Sequence, residues 1–306
     1  MTNRTAQRKR SPIQRTTADR QRRGTPRGRR SSASRYRVAA IGAVLAIVLA
    51  MIGLRVLDEG RTAVAPDSGA PASVVRAVTS VPSSVLDSIG AGEGITLPVA
   101  IGSGVPPILH AGKPEILYVG AEYCPFCASE RWPIVIALSR FGTFSDVGLT
   151  TSSATDVFPS TATLSFHGSS YSSDLISFVP VETETNQPAA SGLGYEPLET
   201  LTADQQQLMA TFDAPPYTSQ VGSIPFVLFG NRFVISGSSY PPDVLQGKTW
   251  QEIASALSDP SSPIARQLLG AANMTTAVIC RLTDQQPADV CTSVAVASAG
   301  ALLPAG

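Results

Sequence analysis

The chain has 306 residues, 43% hydrophobic and 15% charged, with zero formal net charge. Its length admits one or two domains. The zero sum conceals an asymmetry: residues 1–37 carry thirteen Lys/Arg and one acid, whereas the other 269 residues carry ten bases and twenty-two acids. The basic stretch mixes Arg with Ser, Thr, Pro and Gly and has no apolar period, so it is expected to be a disordered tail. Its expected work is to fix topology and touch anionic lipid rather than to bind nucleic acid.

Residues 38–54, from Val38 to Leu54, are seventeen uncharged, mostly apolar residues. Arg55 can snorkel, so Val56 and Leu57 extend the run to the ~20 residues a bilayer core takes. Residues 38–57 therefore read as one transmembrane signal anchor. The bases lie on its N-terminal flank, which places residues 1–37 in the cytoplasm and the C-terminal part outside. A cleaved signal peptide is the rival reading, because Ala63-Val64-Ala65 has the A-x-A form; the long basic region and Pro66 weigh against it. Either way the remainder is exported.

Residues 58–80, with Gly60, Pro66, Gly69 and Pro71, read as a linker, followed by a domain over 81–292 and a C-terminal tail over 293–306. Residues 81–90 hold a short helix capped by Ser83 or Ser84, and 95–101 a strand. Glu115-Ile-Leu-Tyr-Val119 is an apolar run too short for a helix, hence a buried strand. A helix follows Cys124 through Trp132 and Leu138 to about Phe141, kinked at Pro133 and stopped by Gly142. Strands are expected at 147–151, 162–166 and within 174–182. Thr202 and Gln205 stand at capping-box spacing before the apolar positions Leu208, Met209 and Phe212. Residues 223–237 read as a β-hairpin turning at Gly230-Asn231. Thr249 and Glu252 form a second capping box; further helices run from Pro263 to Leu269 and from Ala271 to Leu282, separated by Gly270. No internal repeat is present.

All four cysteines, Cys124, Cys127, Cys280 and Cys291, lie beyond the membrane segment. An even count in an exported domain implies two disulfides, and of the three pairings the spacing favours 124–127 with 280–291. Cys124-Pro125-Phe126-Cys127 stands between a strand and a helix. A helix N-terminus offers unpaired N–H groups and partial positive charge, so a sulfur placed there ionises more readily, and the thiolate is the nucleophile. Pro125 suits a first-turn position and Phe126 gives an apolar surface beside the sulfur. A C-x-x-C alone is also half a zinc site or two buried cysteines. Zinc needs a second ligand pair at short spacing, and neither Cys280/Cys291 nor His110 and His167 supplies one, so no metal is expected.

Ala121-Glu-Tyr-Cys-Pro-Phe-Cys127 after an apolar strand resembles the active site of the thioredoxin superfamily. Gly222-Ser-Ile-Pro-Phe-Val-Leu-Phe-Gly-Asn231 is similar to that family's loop, strand and turn, in which Ile-Pro is a cis peptide. Pro133 resembles the kink proline of the family's first helix. The segment Ala277 to Cys291, with the C-x-x-C and the stretch Tyr171 to Glu182, resembles the thioredoxin-like family labelled domain of unknown function 929 over about residues 80–292. The resemblance implies an α/β thioredoxin-like fold, preceded by one transmembrane helix, with an insertion over roughly 154–215 between the C-x-x-C helix and the cis-Pro loop. It implies Cys124 as nucleophile, Cys127 as resolving thiol, and Ile224, Pro225 and Phe126 facing substrate. The family's usual buried acid falls at Tyr118, and Glu122 is the one nearby carboxylate in sequence. Cys280 and Cys291 are expected to form a structural disulfide. The expected activity is thiol–disulfide exchange, oxidase or isomerase rather than reductase, without cofactor, on cysteine-containing exported proteins or a membrane redox partner. The alternative is a non-catalytic binding or assembly module with structural disulfides.

Overall fold

The structure, a computed structural model, describes residues 70–305. The basic tail, the membrane anchor and residues 58–69 of the linker lie outside the described residues. Among the described residues no helix is long and apolar enough to cross a membrane.

The described chain begins with helix α1 (Ala70–Thr79), then α2 (Ser83–Ile89). Val74 and Val78 on α1 are buried in the core, so these residues are part of the folded body and not linker as their Pro and Gly neighbours implied. Neither Ser83 nor Ser84 caps α2; Pro82 holds the entry instead, with no side-chain cap bond. The strand expected over 95–101 shrinks to β1 (Val99–Ala100). Pro98 has no N–H for a ladder, and the Thr96 amide donates instead to the Ser239 carbonyl at 2.8 Å.

The main sheet is built around β3 (Lys113–Gly120). Strand β2 (Leu109–His110) pairs with its start, and β8 (Ser177–Glu182) runs parallel to it in a register that places Gly120 opposite Glu182. On its other side β11 (Phe226–Phe229) is antiparallel, followed by β12 (Phe233–Ser236) and β1. Gly230, Asn231 and Arg232 join β11 to β12; the Arg232 amide donates to the Phe229 carbonyl at 2.8 Å, and Gly230 and Asn231 at the centre of that turn both have positive φ.

Side chains of β3 alternate between two apolar clusters, as a pleated strand requires. Ile116 and Tyr118 face the larger one, with Trp132, Val135 and Ile136 of α3 (Pro125–Leu138) and Leu268, Leu269 and Val278 of α6 (Pro263–Leu282). Leu117 and Val119 face the smaller one, with Phe226, Leu228, Val234 and Phe212. Phe212 ends α4 (Ala203–Phe212), whose Thr202–Gln205 capping box forms, as does the Thr249–Glu252 box of α5 (Trp250–Ala256). Three two-stranded ladders fill much of the region between α3 and α4. They are β4 (Thr143–Ser145) with β7 (Ser170–Ser172), β5 (Gly148–Thr151) with β6 (Ala162–Ser165), and β9 (Glu184–Pro188) with β10 (Tyr195–Pro197). The architecture is a mixed α/β one with helices packed on a mixed sheet.

Two expectations for the C-terminal region are corrected. α6 is one 20-residue helix that runs through Gly270. Gly270 sits there because α2's exit crosses it: a Cβ on Gly270 would come to 2.8 Å of the Gly92 Cα. Residues 293–306 are not a tail. After α7 (Ala288–Cys291), α8 (Val294–Leu302) buries Ala295, Val296 and Ala299 and packs on α6, small residues permitting the close approach.

Candidate active site

Strand β3 ends at Gly120, and Ala121 to Tyr123 carry the chain to α3, of which Cys124 is the N-cap residue with Pro125 at the first position. The Cys127 amide donates to the Cys124 Sγ at 3.2 Å, so one of the unpaired helix N–H groups is met by sulfur. Cys124 is 5% exposed and Cys127 wholly buried; both are free thiols, so of the two disulfides expected from the cysteine count and spacing only Cys280–Cys291 is formed. The two sulfurs differ in kind. A hydrogen bond from the Cys127 thiol pulls the Cys124 thiol below its ordinary range, aided by the Cys127 amide, the Arg131 charge and the Phe126 amide, against the opposing effect of burial. Burial pushes the Cys127 thiol well up, and the neighbouring Cys124 adds to this.

The Ile224–Pro225 bond is cis, and the Cys124 thiol lies 3.7 Å from the Ile224 carbonyl oxygen, which accepts from it. This brings together residues one hundred positions apart. The loop is fastened to α3 from behind. Gly237 N donates to Pro225 O at 2.8 Å, and Ser239 donates from its amide (2.7 Å) and hydroxyl (2.8 Å) to the Glu130 carboxylate on α3. Tyr240 Oη donates to Ser129 O at 2.6 Å. Burial pushes the Glu130 carboxyl up to about 7, against the two hydrogen bonds from Ser239.

On the open side the extra ladders form a collar. Tyr123 stacks on Tyr195 of β10 with ring centroids 4.2 Å apart, and Ser153 donates to the Tyr123 carbonyl at 2.8 Å. Phe126 is 38% exposed and meets Phe158 edge-on at 6.0 Å. Glu122 is half-buried in this collar and accepts from Ser165 Oγ at 2.6 Å.

Under the sulfurs lies a buried ion pair. Arg131 donates through Nε and Nη2 to both oxygens of Glu182, at 2.8 and 2.6 Å, and through Nη2 to Ala121 O at 2.8 Å. Both side chains are inaccessible. The Tyr118 hydroxyl is buried beside them without a hydrogen-bond partner, its acidity lowered chiefly by burial, and a Cβ on Gly120 would collide with it.

The remaining cysteines pair with each other: the Cys280–Cys291 disulfide joins α6 to α7 with a Cα separation of 5.6 Å. His110 and His167 each face a carboxylate, Glu115 and Glu199. Among the described residues no group of three or more His, Cys, Asp or Glu is arranged to hold a metal ion. Of the residues expected at the site from sequence, Cys124 touches both the Cys127 amide and the Ile224 carbonyl of the cis Ile224–Pro225 bond, and Phe126 lies between the cysteines with its ring against Phe158. Sequence reasoning missed Glu130, Arg131 and Glu182. The signal for the first two was there: two adjacent charges inside a helix that is otherwise apolar nearly all round, between Ala128 and Trp132.

The site is thus a pair of free thiols at a helix N-terminus, covered by the carbonyl of a cis Ile-Pro bond, on a mixed α/β body. The chain belongs to the family described as Domain of unknown function (DUF929), whose model matches residues 106–281, more than half of the chain. No curated protein and no solved structure matches it.

Proposed function

We propose that the folded part of this chain has a thioredoxin-like fold and is a thiol–disulfide oxidoreductase, anchored by residues 38–57 and facing the exported side. The observation that carries this is the placing of the two sulfurs: Cys124 caps the helix start, accepting from the Cys127 amide and lying under the Ile224 carbonyl of the cis Ile224–Pro225 bond, while Cys127 is wholly buried behind it. Burial accordingly pushes the Cys127 thiol up while the Cys124 thiol is drawn down. In exchange, the Cys124 thiolate attacks one sulfur of a partner disulfide. A Cys124–partner bond forms, the partner S–S bond breaks, and a partner thiolate leaves. The Cys127 thiol then loses its proton and attacks Cys124, releasing the second partner thiolate. Two electrons pass from the Cys124–Cys127 dithiol to the partner disulfide; run backwards, the same steps oxidise a partner dithiol. Ile224, Pro225 and Phe126 border the attacked sulfur and would hold the partner chain. Cysteine-containing exported proteins, or a membrane redox partner that resets the pair, are the expected partners, with oxidation or isomerisation favoured by the setting.

One observation favours a non-catalytic binding module: Cys124 is only 5% exposed. Alkylation of the full-length protein after mild reduction separates the two. The exchange function expects Cys124 to label first and Cys127 slowly, with Cys280–Cys291 intact. It also expects Cys127→Ser to accumulate mixed disulfides that Cys124→Ser does not. A Cys124 that stays inert after reduction sinks the oxidoreductase.

A further inference from the structure

The exchange steps above make no use of the ion pair beneath the sulfurs. Arg131 stands four residues, about one helical turn, beyond Cys127 on α3, and Glu182 ends β8, across the sheet from Gly120. Taking both charges out of water is costly, and apolar side chains of like volume commonly fill such a site as well or better. Stability alone therefore gives weak reason for the pair. Its place gives a better one. The guanidinium is near enough for its charge to favour the thiolate of both Cys124 and Cys127, and Cys127 and Tyr118 act back on Arg131. Nη1 of Arg131 has no hydrogen-bond partner, so the fork is not fully absorbed by Glu182 and Ala121.

Only the reduced couple carries a thiolate; the disulfide is uncharged. A fixed positive charge beside the sulfurs thus stabilises the reduced form and makes the couple more oxidising. Glu182 offsets that charge, with Glu122 and Glu199 the other acids close to it.

We propose that the buried Arg131–Glu182 pair sets the reduction potential of the Cys124–Cys127 couple, Arg131 raising it and Glu182 restraining it. Arg131 is a positioning residue here: it touches no partner. The inference rests on the exchange function proposed above.

The test equilibrates full-length protein with glutathione. The dithiol and one oxidised glutathione give the Cys124–Cys127 disulfide and two reduced glutathiones, and alkylation with mass spectrometry reads the cysteine state. Glu182→Gln keeps the shape and removes the negative charge. It is expected to shift the equilibrium at least threefold toward the dithiol, about 14 mV more oxidising for a two-electron couple. Arg131→Met is expected to shift it at least threefold the other way, and Arg131→Lys to return it toward wild type. The pH midpoint of Cys124 alkylation should fall in Glu182→Gln and rise in Arg131→Met. A purely structural pair would weaken folding in both variants without opposite-signed potentials. A Glu182→Gln equilibrium that is unchanged, or shifted toward the disulfide, overturns the proposal, and that sign decides even if Arg131→Met does not fold. If the wild-type pair does not exchange with glutathione at all, the proposed function fails and this inference with it; if it exchanges and the two shifts share a sign, this inference alone fails.

Discussion

Glu130 offers a sharp test of how the Ile224–Pro225 loop is held to α3. Its carboxyl is wholly buried and titrates near 7 instead of 4.5, because burial outweighs the two Ser239 hydrogen bonds. A carboxyl raised in the folded state leaves stability undiminished below pH 4.5, since both states then hold the proton. As pH rises, the unfolded chain ionises first and folding loses ground until the folded carboxyl follows near 7. The full penalty is about 3 kcal/mol, of which ~2.5 kcal/mol accrues between pH 5 and pH 8. Glu130→Gln cannot ionise. Its own cost, from exchanging a carboxylate for an amide against two donors, is the same at every pH. Urea unfolding followed by tryptophan fluorescence at pH 5 and pH 8 should therefore show wild type losing ~2.5 kcal/mol more than Glu130→Gln over that interval. Parallel profiles for the two proteins would refute the reasoning, and with it the claim that burial wins over the Ser239 bonds.

Two further outcomes follow from the packing. Removing the second disulfide as Cys280→Ala/Cys291→Ala should cost about 3 kcal/mol by the chain-entropy relation for a loop of its size, measured by urea unfolding, while Cys124 alkylation keeps its wild-type rate. Gly270→Ala should reverse the usual gain of about 1 kcal/mol for alanine in a helix interior. Its Cβ would press on the Gly92 backbone at 2.8 Å, so a thermal melt should show a lower midpoint than wild type, and a rise would count against the close crossing.

The elements nearest the sulfurs were legible because their signals are local. An apolar run before Cys124, Pro125 at the first helical position, the two threonine capping boxes and the Gly230-Asn231 turn each name their structure from a few neighbouring residues. The pairing of Cys280 with Cys291 was legible from spacing for the same reason. What stayed hidden depends on the other side of a contact. Gly270 reads as a helix stop until Gly92 is seen against it. Ala295 and Ala299 read as nondescript until α6 is beside them. Glu182 reads as the polar end of a strand; only the parallel register of β8 on β3 carries it under the cysteines to Arg131. Tyr118 stands where the sequence resemblance would have an acid, and the structure brings the Glu182 carboxylate to the same neighbourhood from β8.

The surround of Cys124 is assembled from three distant stretches: Ala121 to Cys127, the collar residues Ser153 to Tyr195, and Ile224-Pro225. A ribosome adding ~5–20 residues per second needs about 5–20 s to pass from Cys124 to Ile224. Over that interval the dithiol lacks its carbonyl cover, and it gains its aromatic rim only as Phe158 and Tyr195 are added. Cys280 and Cys291 are synthesised only afterwards, when every residue needed to shield Cys124 already exists. The order of synthesis thus separates the two cysteine pairs in time, which limits the period in which a wrong pairing within one molecule can form.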